Sequence, residues 1–227
     1  MSDPAARHRP HAEAIRVRGL VQGVGFRPTV WRLAHEQGLV GDVLNDGDGV
    51  LIRAWGSALQ IDGLCRALLE QCPPLARIDL IERRRIEALP PFDDFRILAS
   101  SASAVHTAVA PDAAVCDACA AEIADPNDRR YRYPFTNCTH CGPRLSIVRA
   151  IPYDRASTSM SRFPMCVDCA REYADPGDRR FHAQPNACPV CGPRVWLVGA
   201  RKDDGLPGAA GSSPDADPID TTARLLA

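Results

Sequence analysis

The sequence predicts an α+β fold, with a ferredoxin-like β-α-β-β-α-β domain followed by a small cysteine-rich domain. Three observations support this prediction. Over residues 12–99, apolar side chains alternate or recur at helical spacing in the order strand, helix, strand, strand, helix, strand. Eight of the ten cysteines form four C-x-x-C pairs in the second half of the chain. The segment that carries these pairs repeats itself at an offset of 50 residues, which indicates two similar units in tandem.

Local patterns predict each element of the first domain. Residues 14–20, AIRVRGL, alternate between apolar and charged side chains, as a half-buried strand does. A helix is expected from about Pro28 to Gln37, because proline is tolerated in a first turn and Gly38 suits a helix end. The segment VGDVLNDGDGVLIRAW is typical of a β-hairpin with its turn in the run Asn45–Gly49.

The rest of the first domain reads as a helix and further strand. A second helix is expected near Ser57, with apolar residues at helical spacing up to Leu69, before Pro73 and Pro74 end it. The segments RIDLIERRRI and DFRIL supply the remaining strand material. Together these elements complete the ferredoxin-like order.

Composition shifts set the expected boundaries. We expect a flexible N-terminus over 1–11, the first domain over 12–99, a linker over 100–106 and the cysteine-rich domain over 107–200. A stretch rich in Gly, Pro, Ser and Asp follows, and the final IDTTARLLA is typical of the first turns of a helix. Residues 201–227 are therefore expected to be a linker and the start of a missing downstream domain.

The composition also excludes some classes of partner. The formal net charge is −1 at pH 7, so there is no basic surplus of the kind that general nucleic-acid-binding proteins carry. No segment approaches the ~18 apolar residues that a membrane span needs, and the N-terminus lacks an apolar leader. We expect a cytoplasmic protein with no nucleic acid and no membrane as partner. In a reducing compartment, cysteines at this spacing are metal ligands more often than disulfides.

A glycine-rich loop between the first strand and the first helix is a candidate anion site. The loop comprises Val21, Gln22, Gly23, Val24, Gly25, Phe26 and Arg27. Gly23 and Gly25 remove side chains that would keep a ligand from the backbone, and the first turn of a helix offers unpaired N–H groups and a positive dipole end. Arg27 adds a fixed charge. The pattern predicts a phosphate-binding loop.

The string GLVQGVGFR resembles the signature loop of the acylphosphatases, small ferredoxin-like enzymes that hydrolyse carboxyl-phosphate anhydrides. Asn45 in GDVLNDGDGV stands where that family has its second motif, an asparagine in a glycine-flanked strand. The resemblance implies that Arg27 and the loop amides hold the phosphoryl group, while Asn45 orients the attacking water. Asp42 stands where the family usually has an aromatic residue, which leaves the packing near Asn45 open.

The two repeat units each read C-x-x-C-x-x-E-x-x-D-P-x-D-R-R, followed by C-x-x-C-G-P-R. Four thiolates in two such pairs are the ligand set of a structural zinc site, so two zinc ions per chain are expected, although iron would also suit four cysteines. His140 would be a fifth ligand and is not expected to bind metal. The first ligand set is Cys116, Cys119, Cys138 and Cys141, and the second is Cys166, Cys169, Cys188 and Cys191.

Over residues 12–198 the order of motifs resembles the N-terminal part of the HypF carbamoyltransferases, which take part in nickel–iron hydrogenase maturation. This resemblance implies that the present segment hydrolyses carbamoyl phosphate without an organic cofactor. It also implies that ATP and the partner HypE are engaged only by downstream domains.

Another class of function stays open at this point. The chain could be a zinc-dependent protein-binding module in which an inactive acylphosphatase-like fold serves as a scaffold. A chaperone-type zinc domain is disfavoured because its repeats carry C-x-x-C-x-G-x-G instead of C-G-P-R, and a nucleic-acid zinc ribbon is disfavoured by the neutral charge balance. The Asp-Arg-Arg runs at 128–130 and 178–180 are expected to form internal ion pairs, with a partner or an anion as the alternative contact.

Overall fold

The computed structural model describes residues 11–87, 93–101, 106–197 and 217–227. Residues 1–10 of the predicted flexible N-terminus, residues 102–105 of the predicted first linker and the predicted second linker up to residue 216 lie outside the described residues. The described residues up to 192 and those from 193 onward fall into two compact units.

A five-stranded sheet forms the framework of the first unit, with the strand order β4-β1-β3-β2-β5. The pairs β1–β3, β1–β4 and β2–β3 are antiparallel, whereas β2 and β5 are parallel. This arrangement confirms the α+β, ferredoxin-like fold and adds a short edge strand. The strands are β1 (His11–Leu20), β2 (Val40–Asp46), β3 (Gly49–Gly56), β4 (Arg77–Arg85) and β5 (Phe95–Ile97).

Two helices, α1 (Phe26–Glu36) and α2 (Ala58–Glu70), cover one face of the sheet. Alternate residues of β1, such as Ile15 and Val17, pack there against α1 residues such as Val30 and against Leu64 of α2. The apolar residues that alternate along the strands and those that recur at helical spacing therefore form one core.

Helix α1 begins two residues earlier than the expected Pro28. Its N-cap is Gly25, whose φ of 76° is left-handed and which provides no side chain to cap the first turn. Pro28 is the third helical residue, a position where no N–H is needed for a helical hydrogen bond. The helix therefore points uncapped N–H groups toward the loop before it.

The hairpin turn is shorter than the sequence indicated. Strand β2 continues to Asp46 and β3 starts at Gly49, so that only two residues form the turn. Asn45 lies within β2, opposite Val50 of β3. Because side chains alternate along a strand, Asn45 faces the helix side of the sheet, while Asp42 faces away and accepts a hydrogen bond from Arg53 Nε at 2.8 Å. The unusual aspartate thus lies on the opposite face from Asn45.

The cysteine-rich part contains two short helices that the sequence analysis did not identify, α3 (Asp117–Ala124) and α4 (Val167–Ala174). Each begins directly after the first cysteine of a repeat. Two turns of 3₁₀-helix, Arg155–Ser157 and Ser159–Arg162, lie between the repeats.

In the second compact unit, helix α5 (Pro218–Leu226) confirms the expected helix at the end of the chain. The Asp217 side chain accepts hydrogen bonds from the backbone N–H groups of Ile219 and Asp220 and so caps it. Among the helices that the structure describes, none has the length and apolar character to cross a membrane.

Candidate active site and two four-cysteine clusters

The glycine-rich loop connects β1 to α1 and is shaped by two left-handed glycines. Gly23 and Gly25 have φ values of 75° and 76°. A Cβ on Gly23 would lie 3.3 Å from the ring of Tyr153, and one on Gly25 would lie 3.2 Å from Thr139 Cβ. The left-handed backbone therefore favours glycine at both positions, and a Cβ at either would press against the cysteine-rich domain.

The other loop residues fix the backbone in place. The side chains of Val21, Val24 and Phe26 are buried in the core below the loop. Gln22 is also buried, and its Nε2 donates to the carbonyl oxygens of Asp46 and Gly49 at 2.7 and 2.9 Å. The sequence analysis assigned Gln22 to the loop without a separate role; in the structure its amide ties the loop to the β2–β3 hairpin.

Arg27 and Asn45 line one pocket with Gly23 and Gly25. Arg27 is 7% exposed and Asn45 is 1% exposed. The Oδ1 atom of Asn45 has no hydrogen-bond partner among the described residues, which is unusual for a buried amide oxygen. The structure thus brings together the two side chains that the sequence analysis named, beside the N-terminus of a helix.

The cysteine-rich domain forms the opposite wall of this pocket, which the sequence did not indicate. Thr139, Arg144, Tyr153 and His182 all line it. Arg144 Nε donates to the carbonyl oxygen of Gly23 at 2.6 Å. The pocket is narrow, with an inner volume of about 20 Å³. Its walls therefore lie close together.

His182 contributes a neutral ring to this wall. Burial, together with the positive charge of Arg27, lowers the pKa of His182 to about 4. Near neutral pH the imidazole therefore carries no charge that would compete with Arg27 for an anion.

The eight predicted metal ligands come together as two separate clusters of four cysteines. In the first, the Sγ–Sγ distances are 3.8 Å for Cys116–Cys138, 3.8 Å for Cys138–Cys141 and 3.4 Å for Cys119–Cys141. The corresponding distances in the second cluster are 3.7, 3.8 and 3.6 Å. Zn–S bonds of about 2.3 Å in a tetrahedron give sulfur–sulfur edges of about 3.8 Å. The residues therefore fit a tetrahedrally bound metal ion. His140 is exposed and lies outside both clusters.

The short helices and the second C-x-x-C pair of each repeat explain how each cluster forms. We call these second pairs, Cys138–Cys141 and Cys188–Cys191, the knuckles. The first cysteine of each repeat is the N-cap of α3 or α4, and the second lies in the first turn of that helix. Gly142 follows the knuckle of the first repeat with φ of 91°, and a Cβ there would lie 2.5 Å from Asn137 Cβ. In the first repeat, the glycine of C-x-x-C-G is thus required by both conformation and space.

The Asp-Arg-Arg runs form ion pairs, as expected, but the pairs cross between the repeats. Arg129 and Arg130 bind Glu172 of the second repeat, with N–O distances of 2.6 and 2.5 Å. Arg179 and Arg180 bind Glu122 of the first repeat in the same way.

The same arginines reach the opposite cysteine cluster. Arg129 Nη2 donates to Cys169 Sγ at 3.4 Å, and Arg179 Nη1 donates to Cys119 Sγ at 3.0 Å. Burial alone would raise the pKa of Glu172, but hydrogen bonds from Arg130 and Arg129 outweigh it and hold the pKa at about 2. The carboxylate is therefore charged at neutral pH and pairs with both arginines.

Comparisons with known proteins agree with this division of the chain. Residues 13–97 match the acylphosphatase family, and residues 115–148 and 165–198 match the HypF finger. The carbamoyltransferase HypF2 of Cupriavidus necator is 58% identical over 154 residues, covering 67% of this chain and 19% of that protein. An acylphosphatase of Mannheimia succiniciproducens is 46% identical over 82 residues, covering 36% of this chain and 90% of that protein.

A solved structure is similar over nearly the whole chain. The crystal structure of full-length HypF in the phosphate- and nucleotide-bound form matches with a TM-score of 0.86 and 45% identity, covering 95% of this chain and 27% of that one. The chain spans about a fifth of the length of the curated HypF relatives that it matches, 19% of one and 20% of another.

The crossed ion pairs predict that a change in one repeat weakens the other. Arg130→Met removes a buried guanidinium that binds Glu172 and leaves that carboxylate with one partner fewer. We expect a loss of about 1–3 kcal/mol in the free energy of unfolding, because the buried acceptors that Arg130 binds lose a donor, while Glu172 keeps Arg129. We also expect faster metal release from the second cluster than from the first, measured by chelator competition.

The matched control for this variant is Arg171→Met, which removes an exposed arginine paired with Asp168 on the same repeat. It should change the free energy of unfolding by less than about 0.5 kcal/mol. Equal metal release from both clusters in Arg130→Met would contradict coupling across the repeats.

Proposed function

The chain belongs to the acylphosphatase family through residues 13–97 and carries two HypF fingers, and from this we propose that it hydrolyses a small acyl phosphate, with carbamoyl phosphate preferred. The observation that supports this proposal most is the convergence of Arg27 and Asn45 on one pocket at the N-terminus of α1. A charged donor and bare backbone N–H groups can bind a phosphoryl group, and a polar amide can orient the water that attacks it.

The proposed mechanism needs no nucleophilic side chain. The loop N–H groups and Arg27 hold the phosphoryl oxygens and neutralise their charge. The Oδ1 atom of Asn45, which has no other partner among the described residues, accepts a hydrogen bond from the attacking water and aims it at phosphorus. A new O–P bond forms, the P–O bond to the acyl group breaks, and the products are inorganic phosphate and a carboxylic or carbamic acid.

The narrow space between the pocket walls limits the size of the acyl phosphate that can bind. Thr139 and His182 lie on the side opposite the loop, and the inner space is narrow. A small acyl group is therefore favoured. Carbamoyl phosphate meets this condition, because its acyl group is a single carbonyl carbon with one amino group.

We further propose that each cysteine cluster holds one zinc ion, two per chain, in a structural role. The sulfur–sulfur edges and the four thiolate ligands support a closed tetrahedral site, which contributes folding free energy. Bound zinc would supply this stability and no step of the hydrolysis.

The wider role proposed for the chain follows its longer relatives. As part of a HypF-type carbamoyltransferase it would act in hydrogenase maturation in the cytoplasm, with ATP and HypE engaged by regions beyond this segment. A zinc-dependent protein-binding module on an inactive scaffold is less well supported, because such a scaffold has no need for both Arg27 and Asn45 in one pocket.

The two catalytic residues should respond differently to substitution. Arg27→Ala should lower acyl-phosphate hydrolysis by about 10²–10³-fold or more, because a donor to the developing charge is lost. Asn45→Ala should also lower turnover but should leave inhibition by inorganic phosphate intact, since its proposed partner is water. Phosphate release from carbamoyl phosphate and acetyl phosphate measures both effects.

The control for Arg27→Ala is Arg32→Ala, which changes an exposed arginine of the same helix that is paired with Glu36. It should hydrolyse both substrates at the wild-type rate. Circular dichroism and thermal melts must find all variants folded. A folded Arg27→Ala protein with wild-type activity would remove the loop from consideration as the active site.

Metal analysis tests the cysteine clusters. Purified, reduced protein should contain two zinc ions per chain, and chelation should unfold the cysteine-rich domain while the ferredoxin-like domain stays folded. Cys119→Ser should lose one ion, whereas Cys72→Ser should keep both, because Cys72 lies outside the clusters. Metal content near zero in the wild-type protein would contradict the proposal.

A further inference from the structure

The segment between the two fingers contacts the proposed phosphate-binding arginine directly. Arg27 Nη2 donates to Asp154 Oδ1 at 2.7 Å and to the carbonyl oxygen of Tyr153 at 3.4 Å. Its Nη1 donates to Ser100 Oγ at 3.2 Å. The backbone N–H of Tyr153 also donates to Gln22 Oε1 at 3.0 Å, so this segment is joined to the loop at two points.

The carboxylate of Asp154 binds Arg27 but does not line the pocket. Arg27, Asn45 and the loop glycines line the pocket, whereas neither Asp154 nor Ser100 does. The carboxylate therefore does not occupy the space in which a phosphoryl group would bind. It pairs with the Nη2 atom of the guanidinium.

The contacts leave part of the guanidinium available. Arginine has five N–H groups, and the three contacts use one on Nη1 and two on Nη2. Within the part of the chain that the structure describes, the Nε–H and the second Nη1 hydrogen have no protein acceptor. These two N–H groups remain for the oxygens of an anion.

A buried arginine needs a charged partner within the protein. Arg27 is 7% exposed, and a charge this deeply buried is unfavourable unless it is paired and hydrogen-bonded. An arginine side chain also has several rotatable bonds, and holding it in one conformation before the substrate binds is what makes its charge effective in a transition state. An aspartate at 2.7 Å fulfils both needs.

We propose that Asp154 is a positioning residue for Arg27, so that the cysteine-rich domain contributes a functional residue to the acyl-phosphate site. The inference rests on the proposed function, because Arg27 must bind the phosphoryl group for its position to matter. Asp154 itself touches neither the substrate nor the attacking water.

The test compares Asp154→Ala and Asp154→Asn with the wild-type chain in steady-state kinetics with acetyl phosphate and in inhibition by inorganic phosphate. Asp154→Ala should lower kcat/KM by about 10–100-fold, since a misplaced catalytic group costs that order. Both the KM and the inhibition constant for phosphate should rise. Asp154→Asn keeps an acceptor oxygen, and charge-assisted bonds are about twice as strong as neutral ones, so it should lose only about two- to fivefold.

Asp94→Ala is the matched control, because it breaks an exposed aspartate–arginine pair with Arg96 in the same compact unit. It should keep the wild-type kinetics. Thermal melts and metal content establish that each variant is folded with both clusters loaded. If Asp154→Ala fails to fold, Asp154→Asn decides the question.

The outcomes separate this inference from the proposed function. A wild-type chain that hydrolyses no acyl phosphate overturns the proposed function. A wild-type chain that is active while a folded Asp154 variant matches its kcat/KM overturns only the positioning role. A faster Asp154→Ala enzyme also overturns it, because the carboxylate would then compete with the phosphoryl group.

Discussion

The structure of the cysteine-rich domain depends on the crossed pairing of buried arginines with the opposite repeat. Arg130 and Arg180 are 1% and 2% exposed, so each guanidinium must find an anion inside the protein. The available anions are Glu172 and Glu122, each on the helix of the other repeat, together with the cysteine sulfurs beside them. In the structure, each repeat therefore supplies the anion for the buried arginine of the other. The two fingers are therefore joined to each other by buried ion pairs, and the segment between them is held at both ends.

The paired fingers contact the pocket through the segment that joins them and through the first knuckle. Tyr153 packs against Gly23, and its backbone N–H binds Gln22, which in turn binds the β2–β3 hairpin. The glycine-rich loop thus has two functions. Its glycines leave backbone N–H groups open for an anion, and they leave room for the finger domain to close one side of the pocket.

The sequence predicts structural features that come from local patterns or repeated motifs. It does not predict single contacts between residues that are far apart in the chain. The ferredoxin-like order and both cysteine sets follow from short periodic patterns. The Asp-Arg-Arg runs indicate ion pairs, but because both units contain the same motif, pairing within a unit and pairing across units are equally compatible with the sequence. The contact of Asp154 with Arg27 joins residues 127 positions apart. Asp154 lies between the two repeats and outside the repeated motif, so no pattern points to this contact.

Arg144 makes the state of the first knuckle and the shape of the loop interdependent. Its guanidinium donates to the carbonyl oxygens of Cys138 and Thr139 at 3.0 and 2.8 Å, to that of Cys141, and to that of Gly23 at 2.6 Å. Three of these four acceptors belong to the knuckle, and they converge on one planar group only while the knuckle keeps its turn. The fourth acceptor is in the loop before Arg27. A rigid fork of donors cannot follow a displaced knuckle and still reach Gly23, so disorder in the cysteine cluster would release the loop from the wall opposite it.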